Sequence, residues 1–196
     1  QTGLLPEGAL TASAEQFGFN TPYDIGIDAV GGSFPEPEGQ ADLLASSIGQ
    51  GRVTASPLHM ATVAAAIEDG TWRAPTLIHG DQAPERPDPV PLDESITVTI
   101  GEMMREVVTL GPGVNAAVPG RDVAGKSGTA EFGEEDPPET HAWFIGFDES
   151  IAFACLVEGG GSGGSVAAPL ASRFVAALPA PPPPTTTTTS TEEDGD

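Results

Sequence analysis

The sequence of 196 residues predicts an α/β fold in which helices flank an antiparallel sheet. Two segments with apolar residues at three- and four-residue spacing come first, three short apolar segments follow, and a last helical segment ends the series. The link Asp148-Glu149-Ser150 between the last two short segments is brief, which predicts an antiparallel hairpin. The order helix, helix, three strands, helix therefore indicates α/β architecture with an antiparallel sheet.

Three segments are predicted to be helical. The first covers residues 56–70, with Ser56 suited to the N-cap and Pro57 to the first helical position. The third covers residues 169–178 and is ended by a proline. The second covers residues 93–110 and carries one apolar stripe, formed by Ile96, Ile100, Met103, Met104, Val107 and Val108.

The predicted strands lie between the second and third helices, at Val123–Phe132, Ala142–Phe147 and Ile151–Val157. The last of them is apolar on both faces, which predicts a central strand covered on both sides. Residues 81–93 and 133–139 are rich in proline and charge and are predicted to be surface loops.

Charge and composition exclude several classes of protein. The chain has 29 acidic residues against 7 basic ones, a net charge of −22, so it repels nucleic acids and anionic membrane surfaces. It contains no apolar run long enough for a membrane span, and its one cysteine, Cys155, forms neither an internal disulfide nor a cysteine metal cluster. Residues 180–196 are rich in proline and threonine and end in acidic residues, so we predict one folded unit over residues 1–179 followed by a disordered tail.

Lys126 is the only lysine, and residues 120–127 match the phosphate-binding pattern G-x-x-x-x-G-K-[ST]. A true phosphate-binding loop lies between a buried strand and a long helix. Here a proline-broken segment precedes the match, and glycines, acids and prolines follow it, so no helix is expected to begin at Ser127. We therefore reject a nucleotide site.

The same lysine also begins the triplet Lys126-Ser127-Gly128, which has the pattern K-[ST]-G found in penicillin-recognising serine enzymes. In an extended strand Lys126 and Gly128 share one face, and Ser127 and Thr129 share the other. The alternation alone leaves open which row faces a pocket. Such a strand offers a cation and hydroxyls for a substrate carboxylate, a glycine that allows close approach, and a main-chain N–H for an oxyanion.

Further segments resemble class B high-molecular-mass penicillin-binding proteins. Ser47–Gly51 resembles their S-x-G-Q-G segment, Ser56–Ala61 their T-P-L-Q-M-A helix start, and Val123–Glu131 their V-A-G-K-T-G-T-A-E strand. The resemblance extends in order over residues 9–178 and includes His141–Phe147, Gly163–Pro169 and Met104–Gly113. It implies the fold of penicillin-binding proteins and serine β-lactamases, here as a partial domain.

Two motifs of that family are absent from the chain. S-x-x-K requires a lysine, and Val123 stands three residues before Lys126. S-x-N requires a serine two residues before an asparagine, and Gly18 and Gly113 occupy those positions before the two asparagines. Residues 9–20 resemble the stretch that follows S-x-N, so the resemblance implies the C-terminal part of a transpeptidase domain, without the nucleophile. An N-terminal portion carrying both motifs is the implied partner.

The resemblance also implies an activity and the roles of residues. A complete enzyme would cross-link peptidoglycan stem peptides ending in D-Ala-D-Ala through an acyl-serine, on the extracytoplasmic face of the membrane, and would be acylated by β-lactams. Lys126 would act electrostatically, the hydroxyls of Ser127 and Thr129 would bind the terminal carboxylate, Gly128 would allow close approach, and the Thr129 N–H would be an oxyanion donor. No cofactor, metal or direct membrane insertion by this chain is implied. The alternatives are a non-catalytic binding or scaffold module and a D,D-carboxypeptidase.

The remaining candidates favour structural roles. His59 is predicted to be a surface or interface side chain, His141 to be a structural residue near the sheet edge, and His79 to lie in a loop. Three distant histidines without matching carboxylates do not predict a metal site. Cys155 is predicted to be a small buried hydrophobe, and residues 159–164 a flexible glycine turn.

Overall fold

The computed structural model describes Pro6 and residues 8–179, so the predicted tail lies outside the described residues. Within them a 3-10 turn, Val114–Ala116, precedes the main sheet, and a π-helical turn, Gly163–Ala167, precedes the last helix. The helices are α1 (Ala9–Gln16), α2 (Gly39–Ser46), α3 (Pro57–Asp69), α4 (Glu94–Thr109) and α5 (Ala168–Ala177). The strands are β1 (Gly32–Ser33), β2 (Thr54–Ala55), β3 (Thr71–Trp72), β4 (Val90–Pro91), β5 (Ala124–Phe132), β6 (Glu139–Asp148) and β7 (Ile151–Val157).

The main sheet has the order β5-β6-β7, and both pairings are antiparallel. The predicted hairpin is confirmed, since Asp148 pairs with Ile151 across a two-residue turn. Within the described part of the chain β6 is the middle strand and β7 pairs only with β6, so the central position predicted for Ile151–Val157 is not met among these residues. The apolar pattern of β7 reflects coverage of its two faces, which is independent of pairing along its edges.

Two hydrophobic clusters cover the sheet. On one face Val63, Ala64 and Ile67 of α3 pack with Ala124 and Phe147, and we call this the α3-side cluster. On the other face Ala168, Ala171 and Val175 of α5 pack with Phe144 and Phe153, and we call this the α5-side cluster. Helices on both faces of one antiparallel sheet confirm the predicted fold class.

The predicted helix termini agree with the structure. The side chain of Ser56 accepts a hydrogen bond from the His59 N–H at 3.1 Å, and α3 ends at Gly70, whose φ of 75° is left-handed. Asp93 caps α4 by accepting from the Ser95 N–H at 2.8 Å. The single stripe predicted for α4 is divided in the structure, because Met104 and Val108 are buried whereas Ile96 and Met103 are more than half exposed.

Sequence patterns did not predict α1, α2 or the two-stranded pairs β1–β2 and β3–β4. Helix α1 buries none of its residues and α2 buries only Ser46, so neither carries the apolar stripe by which an amphipathic helix is recognised. Val90–Pro91 lies in the predicted 81–93 loop but pairs with Thr71–Trp72. The predicted 133–139 loop is confirmed up to residue 138, since β6 begins at Glu139.

His59 is completely buried, so its prediction as a surface or interface side chain is wrong. Its ring meets the Phe19 ring edge-on at 4.4 Å between centroids, and neither ring nitrogen has a hydrogen-bond partner among the described residues. The positions 59, 63 and 67 follow one another at the four-residue spacing of a helix face, and Val63 and Ile67 belong to the α3-side cluster. Burial lowers the pKa of His59 to about 4.

We expect the stability of the protein to fall as the pH is lowered from about 6.5, the ordinary histidine pKa, towards 4. In this window the unfolded chain binds a proton that the folded chain excludes from His59, so acid favours unfolding. The loss should be on the order of 3 kcal/mol across the window. Urea unfolding at several pH values should show this slope flattened in His59→Gln and retained in His79→Gln, a change at an exposed loop histidine. Equal slopes in the wild type and His59→Gln would contradict the prediction.

Candidate active site

The residues of the predicted motif lie next to one another in the middle of β5, an edge strand of the main sheet. Lys126 therefore lies within a nine-residue strand, and no helix begins at Ser127. This excludes the phosphate-binding loop considered for residues 120–127, because the helix N-terminus that such a loop needs is replaced by continuing strand.

Cross-strand pairing assigns each side chain of the motif to a face. Lys126 pairs with Ile145, which packs against the α3-side cluster, and Ser127 pairs with Phe144, which belongs to the α5-side cluster. Directly paired residues share a face of the sheet. Lys126 thus lies on the α3 side, and Ser127 and Thr129 lie on the α5 side.

Main-chain groups of the motif point away from the sheet. The Ser127 carbonyl accepts a hydrogen bond from Lys126 Nζ at 2.5 Å, and the Thr129 carbonyl accepts one from Gln50 Nε2 at 3.2 Å. In an antiparallel ladder, a residue whose C=O points away from the partner strand has its N–H on the same side. The N–H groups of Ser127 and Thr129 therefore point outward, where an extended ligand can pair with them.

Lys126 is exposed and forms no ion pair with any described residue. By contrast, acidic side chains pair with Arg52, Arg73, Arg105 and Arg121. In a chain with a net charge of −22, a lysine without an acidic partner among the described residues, beside outward N–H groups and two hydroxyls, forms a small site suited to a carboxylate.

The π-helical turn packs directly against the motif. The Gly163 N–H donates to Thr129 Oγ1 at 3.3 Å, which leaves the hydroxyl hydrogen free to donate to a ligand. A Cβ on Gly163 would overlap the carbonyl oxygens of Gly128 and Trp143. The prediction of a flexible turn over residues 159–164 is therefore wrong at Gly163, which is buried because only glycine allows this approach of two backbones.

The other candidate residues have structural surroundings. His141 lies on the central strand rather than near the edge, stacks on Phe132 at 3.9 Å between ring centroids and accepts from the Gly159 N–H. Cys155 is half-buried beside the α5-side cluster, and burial raises its pKa. Among the described residues there is no cluster of three or more potential metal ligands, and none of their helices has the length and apolar character needed to cross a bilayer.

Sequence patterns did not predict a role in the site for Gln50 or for the turn at Gly163. Both nevertheless lie in segments that resemble the penicillin-binding protein family. Gln50 contacts β5 from 79 positions earlier in the chain, and spacing does not predict such a contact. The sequence signal that could have indicated a specially shaped loop at Gln50 was the pair of glycines around it. Both adopt left-handed φ angles, 76° at Gly49 and 71° at Gly51.

Comparison with known proteins agrees with this geometry. Residues 3–176 match the family described as the penicillin binding protein transpeptidase domain. The chain is 35% identical over 192 residues to peptidoglycan D,D-transpeptidase PbpA of Mycolicibacterium smegmatis, covering 86% of this chain and 38% of that protein. The chain thus spans well under half the length of this relative.

Solved structures are similar as well. Penicillin-binding protein A from M. tuberculosis, in a ceftriaxone acyl-enzyme complex, superposes with a TM-score of 0.71 at 28% identity, covering 85% of this chain and 42% of that one. The transpeptidase domain of penicillin-binding protein 3 from Burkholderia pseudomallei has a TM-score of 0.69 at 26% identity, covering 84% and 54%. The sequence match, the shared fold and the K-S-G strand together show that the chain belongs to the penicillin-binding protein transpeptidase family, as part of a class B D,D-transpeptidase domain.

Proposed function

We propose that this chain supplies the substrate-binding strand of a peptidoglycan D,D-transpeptidase whose nucleophilic serine lies outside it. The observation that carries the proposal is the exposed Lys126, which lacks an acidic partner among the described residues and lies beside the outward N–H groups of Ser127 and Thr129. A stem peptide ending in D-Ala-D-Ala offers what this edge can bind: an extended main chain and a terminal carboxylate.

Each residue of the strand has a role in this reaction. Lys126 Nζ reaches the outer edge of β5, where it bonds the Ser127 carbonyl. At this edge its positive charge and, from the other face, the hydroxyls of Ser127 and Thr129 hold the terminal carboxylate, and Gly128 lets the peptide lie close to the strand. The serine oxygen from the N-terminal portion attacks the penultimate D-Ala carbonyl, and the Thr129 N–H stabilises the negative charge that develops on the carbonyl oxygen. The C–N bond breaks, the leaving nitrogen takes the proton that the serine hydroxyl gives up, and D-Ala leaves as the free amine. An amine of a second stem then attacks the acyl-serine, forms the cross-link and releases the serine.

The N-terminal portion is proposed to complete the fold as well as the chemistry. Strand β7 pairs only with β6 in the described part of the chain, yet all seven of its residues are half-buried or buried, and all except Cys155 are isoleucine, alanine, phenylalanine, leucine or valine. An apolar strand with an open edge favours pairing with another segment. We propose that the complete enzyme acts on the extracytoplasmic face of the bacterial membrane, where β-lactams reach it.

Fluorescent penicillin tests the proposal. The complete enzyme, including an upstream serine in S-x-x-K, should be labelled covalently, whereas this chain alone and the complete enzyme with that serine changed to alanine should not. With a stem peptide and an acceptor amine, the complete enzyme should form a cross-linked dimer. Absence of labelling of the complete enzyme would favour a non-catalytic binding module. Release of D-Ala to water without a dimer would indicate a carboxypeptidase.

A further inference from the structure

We propose that Gln50 is a positioning residue that holds Thr129 of β5 in the orientation needed for its N–H to face the oxyanion. The inference rests on the proposed function, since it assigns a support to a residue of that site. Gln50 itself contacts the strand and not the reacting atoms. It acts through a single hydrogen bond, from its side-chain amide to the Thr129 carbonyl at 3.2 Å.

The direction of this bond is fixed by its chemistry. A carbonyl oxygen only accepts, so the Gln50 side chain contributes its NH₂ group. Because the C=O and N–H of Thr129 share the outer edge of β5, the group that fixes the carbonyl also limits rotation of the N–H about the strand axis. Strand β6 cannot fix these two groups, since they point away from it.

The loop that carries Gln50 is itself held rigidly. The Gln50 N–H donates to the Ala45 carbonyl at 2.9 Å, which ties the loop to the end of α2. Arg52 Nε and one terminal nitrogen bind the same oxygen of Asp42 in α2, at 3.1 and 2.7 Å. The left-handed glycines on either side of Gln50 let the chain turn sharply before and after it. The amide is therefore presented to β5 from a fixed position.

Thr129 is thus held from two sides. Gly163 N–H binds its hydroxyl oxygen from the α5 side, and Gln50 binds its carbonyl from the outer edge. Its N–H is the group that neither neighbour uses. An edge strand whose outer groups are otherwise exposed can twist, and misplacement of a donor by about 1 Å can cost on the order of 10²-fold in rate. The contacts to Thr129 therefore matter for acylation more than for folding.

The test uses the complete transpeptidase and three variants: Gln50→Leu, Gln50→Glu and, as the matched control, Gln40→Leu on the exposed surface of α2. The acylation rate constant k2 and the dissociation constant Kd for penicillin should be measured by stopped flow, together with the melting temperature. Gln50→Leu should lower k2 by about 10- to 100-fold, with Kd changed less than about threefold and Gln40→Leu unaffected. In this result carboxylate binding by Lys126 and Ser127 is retained while the oxyanion donor is misaligned.

The pH dependence of k2 in Gln50→Glu distinguishes a positioning role of Gln50 from a merely structural one. The ionised carboxylate has no donor for the Thr129 carbonyl, but the protonated acid does, so k2 relative to the wild type at the same pH should rise as the pH falls from 7 towards the carboxyl pKa of about 4.3. Gln50→Leu should show no such recovery. If penicillin acylates the wild type and k2 is unchanged in Gln50→Leu, the inference is overturned. It is also overturned if Gln50→Leu weakens penicillin binding and lowers the melting temperature as markedly as it lowers k2. A wild-type enzyme that penicillin does not acylate would instead overturn the proposed function.

Discussion

Replacing Lys126 with methionine is expected to lower the rate of penicillin acylation of the complete transpeptidase by about 10²- to 10³-fold, the magnitude found when one preorganised electrostatic contact of an active site is removed. Methionine preserves most of the side-chain length and removes the charge. Lys126 has no acidic partner among the described residues and bonds only to the adjacent Ser127 carbonyl, so the folded state loses little. The free energy of unfolding should change by less than about 0.5 kcal/mol.

The matched control is Arg173→Met, which makes the same change in net charge at an exposed position of α5. In a chain with a net charge of −22, any lost cation increases the general repulsion of an anionic ligand, and this control measures that contribution. Fluorescent-penicillin kinetics should show near wild-type rates for Arg173→Met. If the two variants slow acylation equally, Lys126 contributes only to the overall field and its role in the strand is refuted.

The parts of the fold that sequence patterns predicted are those with both a local start or stop and an apolar face. Helix α3 has the Ser56 cap and the Gly70 end, and it buries Val63 and Ile67 in the α3-side cluster. By contrast, α1 buries none of its residues, so it lacks the apolar stripe by which sequence patterns predict a helix. The edge position of β7 among the described residues was missed for a related reason, since a strand covered on both faces looks the same in sequence whether or not its edges are paired.

The candidate site also has a part that the sequence predicted and a part that it did not. The K-S-G triplet and the strand around it follow from the order of neighbouring residues, and the structure places them in β5. The contacts that orient the strand come from Gln50 and Gly163, which lie 79 and 34 positions from Thr129. Such contacts depend on how loops pack in three dimensions, so neither periodicity nor local turn chemistry predicts them.

Arg121 is a second residue whose importance arises from long-range packing. It forms an ion pair with Asp148, from Nε to Oδ2 at 2.6 Å, and the two side chains are only 7% and 2% exposed. Its other nitrogens donate to the carbonyls of Val175 and Pro179 and to the Ser150 hydroxyl. This one guanidinium therefore joins the β6–β7 hairpin to the end of α5.

We expect Arg121→Met to destabilise the protein by about 3–5 kcal/mol, because it leaves the Asp148 carboxylate buried without its cation. Urea unfolding of the complete domain measures the change. The double variant Arg121→Met/Asp148→Asn should recover much of the loss, since asparagine keeps an acceptor for the Ser150 N–H while removing the charge. Arg73→Met breaks the exposed pair with Asp69 and should cost less than about 1 kcal/mol.

The pH dependence of the destabilisation by Arg121→Met shows whether it arises from the unpaired charge of Asp148 or from lost packing of the arginine side chain. In the wild type, burial opposes ionisation of Asp148, but hydrogen bonds from Arg121 and Ser150 outweigh it and lower its pKa. The stability that this carboxylate contributes is present above the ordinary aspartate pKa of about 3.9 and is lost as the pH falls below it. Without Arg121 burial dominates and the pKa rises, so protonation relieves the variant at a higher pH than the wild type. The difference in unfolding free energy between the wild type and Arg121→Met should therefore shrink as the pH is lowered from 7 to 4, whereas a difference that stays constant would attribute the loss to packing of the arginine side chain.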